Sequence, residues 1–237
     1  MKRVAVVIFP GTNSEEETVR LLRACGADAH LVHWSRAHTL GAYDGYVLSG
    51  GFAYEDRIRA GAVAAHDAMM DPVIDGARNG KLVMGICNGA QILLEAGLVP
   101  GTGDARRPTA AFTHNVPPHF ICKKVYVKLA VQPRRSSITA ALPRDAVLPA
   151  WAAHGEGRLA ARACEMEELE TGDHLAFVYA HADGRVDDAA TPNGSALHCA
   201  GLVNREGNVL ALMPHPERVF PPHAALFKSF VRGVEAS

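Results

Sequence analysis

Cys87 is the side chain in this sequence whose surroundings best suit a nucleophile. It stands between Gly85 and Gly89, after an apolar run at 82–86 that is typical of a buried strand and before helical apolar spacing at 88–96. The pattern Gly-x-nucleophile-x-Gly on a strand-to-helix turn is the nucleophile elbow. Glycines are needed there because the turn is sharp and a Cβ would collide with neighbouring backbone. Taken alone, the pattern fits a small buried cysteine about equally well.

A cysteine on such a turn has the setting that covalent catalysis requires. The helix N-terminus offers unpaired N–H groups and positive potential, and both favour the thiolate. The backbone N–H of Asn88 would face the oxyanion that forms when sulfur attacks a carbonyl carbon. A second donor is expected from Ser-Gly-Gly-Phe at 49–52, after another predicted strand, because glycines let backbone N–H groups approach a ligand. A glycine turn without a ligand is the alternative for that stretch.

The thiol also needs a base, and His215 is the candidate. It follows the last predicted strand and has a carboxylate, Glu217, two residues further on. If the prolines on either side of His215 keep the segment extended, the two side chains share one face and Glu217 can fix the imidazole tautomer. The imidazole would take the proton of the thiol and return it to the leaving group. Because the chain has twelve histidines, a surface histidine in a proline-rich loop is the alternative.

The composition indicates a soluble globular protein that binds neither nucleic acid nor membrane. Of the 237 residues, 48% are hydrophobic and 21% are charged, and the formal net charge of -1 gives no attraction to nucleic acid or to anionic lipid. No apolar run is long enough to span a membrane. The five cysteines are odd in number and scattered, without a Cys-x-x-Cys pair. The sequence therefore predicts no disulfide framework and no metal site, and it favours the reducing cytoplasm.

Strands that alternate with helices predict the fold of the first hundred residues. Apolar runs predict strands at 4–9, 28–34, 44–49 and 82–86. Ser14 and Glu17 have the spacing of a capping box at the start of the first helix. Two further helices are predicted at 60–70 and 73–78, separated by Asp71-Pro72. Such βαβ units predict an α/β fold, an open and mostly parallel sheet with helices on both faces, whose ligands bind beyond the carboxyl ends of the strands.

The second half of the chain follows a different pattern. Residues 101–119 are rich in Gly, Pro, Thr and Arg and predict an irregular connection. Further short strands are predicted at 120–129, 175–180, 200–204 and 209–213, with a hairpin turn at 205–208 and a closing helix at 223–234. This part is therefore expected to add partly antiparallel strands to the sheet. No linker or internal repeat interrupts the chain, so residues 1–237 are predicted to form a single domain.

Three stretches of the sequence match the motifs of a known family. They are Gly85-Ile-Cys-Asn-Gly-Ala-Gln91, Gly50-Gly-Phe-Ala-Tyr-Glu-Asp56 and Pro214-His-Pro-Glu-Arg218. Together they resemble the triad-type, or class I, glutamine amidotransferases, which implies a flavodoxin-like fold. More narrowly, the second stretch, with Phe120-Ile-Cys122 and His154-Gly-Glu-Gly157, is similar to the glutaminase subunits of phosphoribosylformylglycinamidine synthases, which act in purine biosynthesis. The likeness runs nearly from end to end of the chain.

The resemblance implies roles for the matching positions. Cys87 would be the nucleophile, His215 the acid and base, and Glu217 its orienting partner. Six further positions fall where the family forms its oxyanion hole or holds glutamine, and they are Gly51, Phe52, Asn88, Gln91, His154 and Gly155. The resemblance implies no metal ligand among them.

The implied reaction is the hydrolysis of L-glutamine to glutamate and ammonia through a cysteine thioester. The chain lacks the Gly-x-x-x-x-Gly-Lys-Ser/Thr loop that cradles nucleotide phosphates. The resemblance therefore assigns ATP and Mg²⁺ to a large synthetase subunit that receives the ammonia, often with a small third subunit. No cofactor is expected in this chain itself.

Three other functions remain open at the level of sequence. The chain could be the glutaminase subunit of another amidotransferase, against which the Gly-Gly-Phe-x-Tyr-x-Asp stretch argues. It could be a hydrolase or glyoxalase-like enzyme with a cysteine elbow, although such enzymes typically lack a His-x-Glu after the last strand. It could also be a module that binds a synthetase without cleaving glutamine, although all three triad positions are filled.

Overall fold

The computed structural model describes residues 2–102, 107–219 and 224–237. Its strands are β1 (Arg3–Ile8), β2 (Asp28–His33), β3 (Gly45–Leu48), β4 (Leu82–Ile86), β5 (Ala110–His114), β6 (Ile121–Leu129), β7 (Val147–His154), β8 (Glu156–Ala161), β9 (Leu175–Ala180), β10 (Cys199–Val203) and β11 (Val209–Leu212). Its α-helices are α1 (Glu15–Ala24), α2 (Ala62–Ala65), α3 (Met70–Arg78), α4 (Asn88–Glu95), α5 (Ala163–Thr171) and α6 (Ala225–Ala236). Within these residues no helix is both long and apolar enough to cross a membrane.

The described strands form one large mixed sheet and one small one. The large sheet has the order β2-β1-β3-β4-β11-β10-β9-β6-β7, and β5 pairs separately with β8. The first five strands run parallel, whereas β10, β9, β6 and β7 add on by antiparallel pairing. The predicted mostly parallel sheet with antiparallel strands in the second half is confirmed.

Helices cover both faces of the parallel strands, as the packing against β3 demonstrates. A Cβ on Gly45 would meet Val234 of α6, whereas the ring of the next residue, Tyr46, packs against Gly76 of α3. Successive residues of a strand point to opposite faces, so α6 and α3 lie on opposite sides of the sheet. Close packing on both sides explains why β1, β3, β4 and β11 are continuous apolar runs rather than alternating ones.

Three details of the predicted first half and connection are wrong. The 101–119 stretch contains β5, whose pairing with β8 organises it, although residues 103–106 lie outside the described part. Asp71-Pro72 does not separate two helices, because Pro72 lies in the first turn of α3, where its missing N–H costs nothing. The Ser14 side chain does not cap α1; its hydroxyl instead accepts the N–H of Gly50 at 2.8 Å.

The second half contains elements that the sequence pattern did not predict. These are β7, β8 and α5, all of them located between the predicted strands at 120–129 and 175–180. The closing helix begins at Ala225, and His223 lies outside the described residues. The missed strand β7 is the edge of the large sheet, and it reaches the site described next.

Candidate active site

Cys87 stands on the tight turn between β4 and α4, as the elbow pattern predicts. Its backbone has φ 51° and ψ -109°, a conformation that L-residues rarely adopt, and its side chain is buried. A Cβ on Gly89 would lie only 2.6 Å from the carbonyl carbon of Leu48, and one on Gly85 would lie 2.6 Å from that of Gly89. Both glycines are therefore needed for α4 to lie against β3 and β4 and to place Cys87 at the turn.

His215 and Glu217 come to the same place from the far end of the chain. The Nδ1 of His215 lies 2.5 Å from Oε1 of Glu217, and both side chains are buried. A side-chain hydrogen bond joins His215 to Cys87. The two residues flank Gly50, where an added Cβ would collide with the His215 ring and lie 3.3 Å from the Cβ of Cys87. Sulfur, imidazole and carboxylate thus form one hydrogen-bonded row.

The electrostatics of this row favour a charged imidazole. Burial by itself lowers the pKa of His215, but the charges of Glu217 and Cys87 on its two sides, and its hydrogen bonds to them, outweigh burial and raise the pKa to about 10. The imidazolium is therefore the form present near neutral pH. A positive charge beside the sulfur stabilises a thiolate, the form in which cysteine is nucleophilic.

The Gly50-Gly51 segment lies against the elbow, but one expected donor is occupied. The backbone N–H of Phe52 donates to the carbonyl of Gly11 at 2.9 Å, which pairs this segment with the loop after β1. The backbone N–H of Asn88 lies in the first turn of α4, where helix geometry leaves it unpaired. Of the expected oxyanion donors, Phe52 therefore does not point its N–H toward the sulfur in this conformation.

The side chain of Asn88 connects the two segments that would hold an oxyanion. Its Oδ1 accepts the backbone N–H of Ala53 at 2.9 Å, and its Nδ2 donates to Gln91 at 2.9 Å and to Asp56 at 3.1 Å. Gln91 in turn donates to the carbonyl of Glu156 at 2.6 Å. The start of α4, the loop after β3 and the start of β8 are thus held in one network.

A cavity of about 250 Å³ opens in front of the sulfur. Its walls come from the loop after β3, from the elbow helix and from the ends of β5 and β7, and they are formed by Gly51, Phe52, Asp56, Cys87, Gln91, His114, Phe120, Ala153, His154, Gly155 and Glu156. Six of the nine sequence-predicted site residues are in this wall, and they are Cys87, Gly51, Phe52, Gln91, His154 and Gly155. The remaining three lie behind it: His215 bonds to Cys87, Asn88 bonds to Gln91, and Glu217 is linked to the wall through His215.

His154 enters this wall as a neutral imidazole. Burial and then the nearby charge of His215 lower its pKa to about 4. Its Nδ1 lies 3.2 Å from Oδ1 of Asn115, an amide oxygen that also accepts the N–H of Gly157, so Nδ1 carries the proton. Its Nε2 is buried, and the described residues give it no hydrogen-bond partner. That nitrogen is therefore a free acceptor.

Sequence reasoning missed four residues that build this site. Asp56 and Glu156 put two carboxyl groups in the cavity wall, and burial together with the charge of Glu156 raises the pKa of Asp56 to about 6. Asn115 holds His154, and the carbonyl of Ala153 lies 3.8 Å from the sulfur of Cys87. Asp56 and Glu156 lie in the family motifs at 50–56 and 154–157, so the sequence could have identified them. Asn115 and Ala153 could not be identified in this way, because β5, β7 and β8 were not predicted.

The described residues hold no group of His, Cys, Asp and Glu side chains suited to a metal ion.

A cysteine elbow joined to a His-x-Glu on this mixed sheet defines a triad-type glutamine amidotransferase, and residues 1–228 match the family of CobB/CobQ-like glutamine amidotransferase domains. PurQ subunits of phosphoribosylformylglycinamidine synthase from Chlorobium luteolum and Thermomicrobium roseum are 39% and 41% identical to this chain. The alignments cover 91% and 92% of this chain and 88% of each relative. The chain belongs to this PurQ family.

Solved structures agree with this assignment. A chain in the structure of PurLQS from Thermotoga maritima is 31% identical and superposes with a TM-score of 0.79, covering 100% of this chain and 99% of that one. The glutaminase domain of a CTPS from Trypanosoma brucei, with acivicin bound, has a TM-score of 0.61 at 14% identity, covering 100% and 95% of the two chains. The second likeness shows a common fold only.

Proposed function

We propose that this chain is the glutaminase subunit of a phosphoribosylformylglycinamidine synthase. It hydrolyses L-glutamine to glutamate and ammonia and passes the ammonia to an ATP-dependent synthetase subunit of purine biosynthesis. The observation that carries the proposal is the buried row of Cys87, His215 and Glu217 at the bottom of a cavity of about 250 Å³. A cavity of this size suits a single amino acid rather than a larger substrate.

The first half of the reaction follows from the charges in that row. The thiolate of Cys87 attacks the side-chain amide carbon of glutamine, and the carbonyl oxygen becomes an oxyanion beside the N–H of Asn88. As the carbon–nitrogen bond breaks, the imidazolium of His215 gives its proton to the departing nitrogen, which leaves as ammonia. Glu217 keeps the imidazole in place and stabilises its positive charge. A γ-glutamyl thioester remains on Cys87.

Water completes the reaction by the reverse use of the same base. The neutral His215 takes a proton from a water molecule that attacks the thioester carbon. The second tetrahedral intermediate then expels the thiolate of Cys87, releasing glutamate and restoring the starting charges. Gln91, His154 and Gly155 are assigned to holding the substrate, because all three face the same cavity as the sulfur.

The nucleotide chemistry belongs to a partner in this proposal. The chain lacks a phosphate-binding glycine loop with its lysine, so ATP and Mg²⁺ are assigned to a large synthetase subunit, and this chain uses no cofactor of its own. The name of the PurLQS assembly from Thermotoga maritima supports a complex of this kind. A small third subunit and a cytoplasmic location complete the proposal.

Labelling with a diazo-ketone analogue of glutamine tests the nucleophile. The analogue alkylates the residue that attacks the substrate carbon, so peptide mass mapping should find the adduct on Cys87 and none in Cys87→Ala. An adduct on Cys25, Cys122, Cys164 or Cys199 instead would refute the assignment. The other four cysteines provide an internal control for unspecific alkylation.

Glutamine turnover with and without the synthetase subunit tests the coupling. Because the N–H of Phe52 is engaged by Gly11, the oxyanion hole of the free chain lacks one donor. Loss of one such donor lowers kcat by about 10²- to 10³-fold in other enzymes. We therefore expect low turnover for the chain alone and a strong rise with the partner. Equal turnover in both conditions would count against the coupling.

A further inference from the structure

The outer edge of β7 contacts both reacting residues, His215 through its backbone and Cys87 through its sulfur. Trp151 exchanges backbone hydrogen bonds with His215, so its backbone groups point away from β6. Because the direction alternates along a strand, residues 148, 150 and 152 direct theirs toward β6. The outward positions are Pro149, Trp151 and Ala153. Pro149 has no N–H to offer, so the backbone donors of this stretch of edge come from Trp151 and Ala153.

Trp151 and His215 are joined by a reciprocal pair of backbone hydrogen bonds. The N–H of Trp151 donates to the carbonyl of His215 at 3.0 Å, and the N–H of His215 donates to the carbonyl of Trp151 at 2.8 Å. Because prolines flank His215, neither neighbour in the chain can donate a backbone hydrogen bond that would steady the segment. The two bonds from Trp151 therefore set the position of the histidine backbone.

The same edge also reaches the nucleophile. Two residues beyond Trp151, the carbonyl of Ala153 lies 3.8 Å from the sulfur of Cys87. Eight consecutive residue pairs fix β7 against β6, from Ile121 with His154 to Lys128 with Val147. This pairing fixes the position of β7. Because residue 151 holds His215 and residue 153 contacts Cys87, the strand sets how far apart the histidine and the cysteine lie.

We infer that Trp151 is a positioning residue for catalysis, acting through its peptide group rather than its indole. Glu217 fixes the rotation of the imidazole, and Trp151 fixes the depth at which the ring approaches the sulfur. The inference rests on the proposed glutaminase reaction, because it assigns Trp151 a part in that proton transfer. It goes beyond the triad by placing a required element on a strand that contributes no triad side chain.

An amide-to-ester substitution at Trp151 tests the inference with little change in shape. Incorporating the α-hydroxy analogue of tryptophan removes the N–H that binds His215 and retains the indole. The matched control places an ester at Ala150, whose N–H faces β6 and whose ester carbonyl is that of Pro149, so it removes a hydrogen bond of the same strand and leaves both bonds to His215 intact. Both proteins are assayed in complex with the synthetase subunit. Trp151→Pro is a second variant with the same missing donor.

We expect the Trp151 ester to lower kcat by about 10- to 100-fold with KM nearly unchanged, the scale on which a misplacement of about 1 Å acts. The rate of Cys87 alkylation by iodoacetamide near neutral pH should fall with it, because the imidazolium no longer sits against the sulfur. The Ala150 ester should change kcat by less than about threefold, because it leaves the position of His215 unchanged.

Each outcome decides between the positioning role and a structural one. If the Trp151 ester keeps native kcat and alkylation rate, or if both esters lose activity equally, the inference is wrong. If Trp151→Pro folds and keeps native kcat, it is wrong as well. Failure of the unmodified complex to release ammonia from glutamine would instead refute the proposed function, and the native control detects that case separately.

Discussion

The parallel and antiparallel halves of the sheet contribute to the site in different ways. The parallel strands β3, β4 and β11 are each followed by a loop that carries site residues, and Cys87 lies in the loop after β4. The antiparallel strands β6, β7 and β9 contribute none of the triad side chains. They bring a strand edge, the neutral His154 and the far wall of the cavity.

The two halves differ in whether the residues that position a side chain are neighbours in sequence or come from distant segments. The position of Cys87 is determined by a strand, a turn and a helix that are contiguous in sequence, and two glycines are enough to specify it. The approach of His215 depends on Trp151, Glu217 and the pairing of β7 with β6, which bring together distant parts of the chain. Substitutions in the two halves should therefore fail in different ways.

Cys87→Ala should have the largest effect on activity. Without the sulfur no thioester forms, and glutamine-dependent ammonia release by the complex should fall by about 10⁴-fold or more. Thermal unfolding should change little, because the elbow backbone is held by its glycines rather than by the thiol. Cys164→Ala, at an exposed position of α5, is the control and should retain full activity. Substantial ammonia release by Cys87→Ala would show that Cys87, and with it the parallel half, does not supply the nucleophile.

Glu217→Gln should lower kcat by about 10⁴-fold, the scale seen when the third member of a triad is lost. Without the carboxylate charge the pKa of His215 falls, so the alkaline limb of the pH–kcat profile should move to lower pH. An unchanged alkaline limb would show that Glu217 does not act on the imidazole. KM for glutamine should stay close to native, because Glu217 does not face the cavity.

The same pair should make stability depend on pH in a defined direction. The pKa of His215 is raised from 6.5 to about 10, so its protonation stabilises the native state fully below pH 6.5 and the contribution is lost as the pH rises toward 10. Urea unfolding between these values should show a decline for the native chain and a flatter curve for Glu217→Gln. If the free energy of unfolding of both proteins depended on pH in the same way, His215 would not be charged in the native state.

Gly89→Ala tests how tightly the parallel half is packed. An alanine in a helix is favoured over glycine by about 0.5–1 kcal/mol. The added Cβ would collide with the backbone carbonyl of Leu48, however, and overpacking costs about 1–3 kcal/mol or more. We expect a lower melting temperature and about tenfold lower kcat as Cys87 is displaced. Gly41→Ala, where a Cβ meets nothing within 4 Å, should be neutral or slightly stabilising.

Asn115→Ala should have the smallest catalytic effect and shows what the antiparallel half contributes to binding. Its side chain bonds to His154, Gly157 and His119, so removal leaves several buried polar groups unpaired at a cost of about 1–3 kcal/mol. KM for glutamine should rise while kcat falls less, because His154 turns away from the substrate. Asn79→Ala, whose exposed side chain makes one local bond, is the control. A kcat-only loss would argue against this role.

The sequence predicted the parallel half well because its signals are local. Apolar runs located β1, β3, β4 and β11, and the elbow glycines located Cys87. Ser14 shows the limit of local rules: the capping pattern is present, but the hydroxyl bonds to Gly50 in a segment brought next to it only by folding. Tertiary contact replaced the local interaction that the motif predicts.

The antiparallel half was predicted poorly for the same reason. In β7, buried and half-buried positions alternate, but the half-buried positions hold apolar residues such as Pro149 and Ala153. The sequence therefore shows no alternation of polar and apolar residues, and the strand is recognisable only from its pairing with β6. The donor at Phe52 was assigned from the family pattern, whereas its N–H is taken by Gly11, a bond between loops after two different strands. Such contacts between distant segments have no signature in the order of residue types.

The bridge between Trp151 and His215 also affects how the molecule behaves at high concentration. A sheet that ends in an open strand invites another chain to add to it, which is how many proteins begin to aggregate. Here the loop bearing His215 covers that margin, and Pro149 removes a donor from the next free position. The residues that bring the base to the sulfur thus also keep this border closed to strand addition by other molecules.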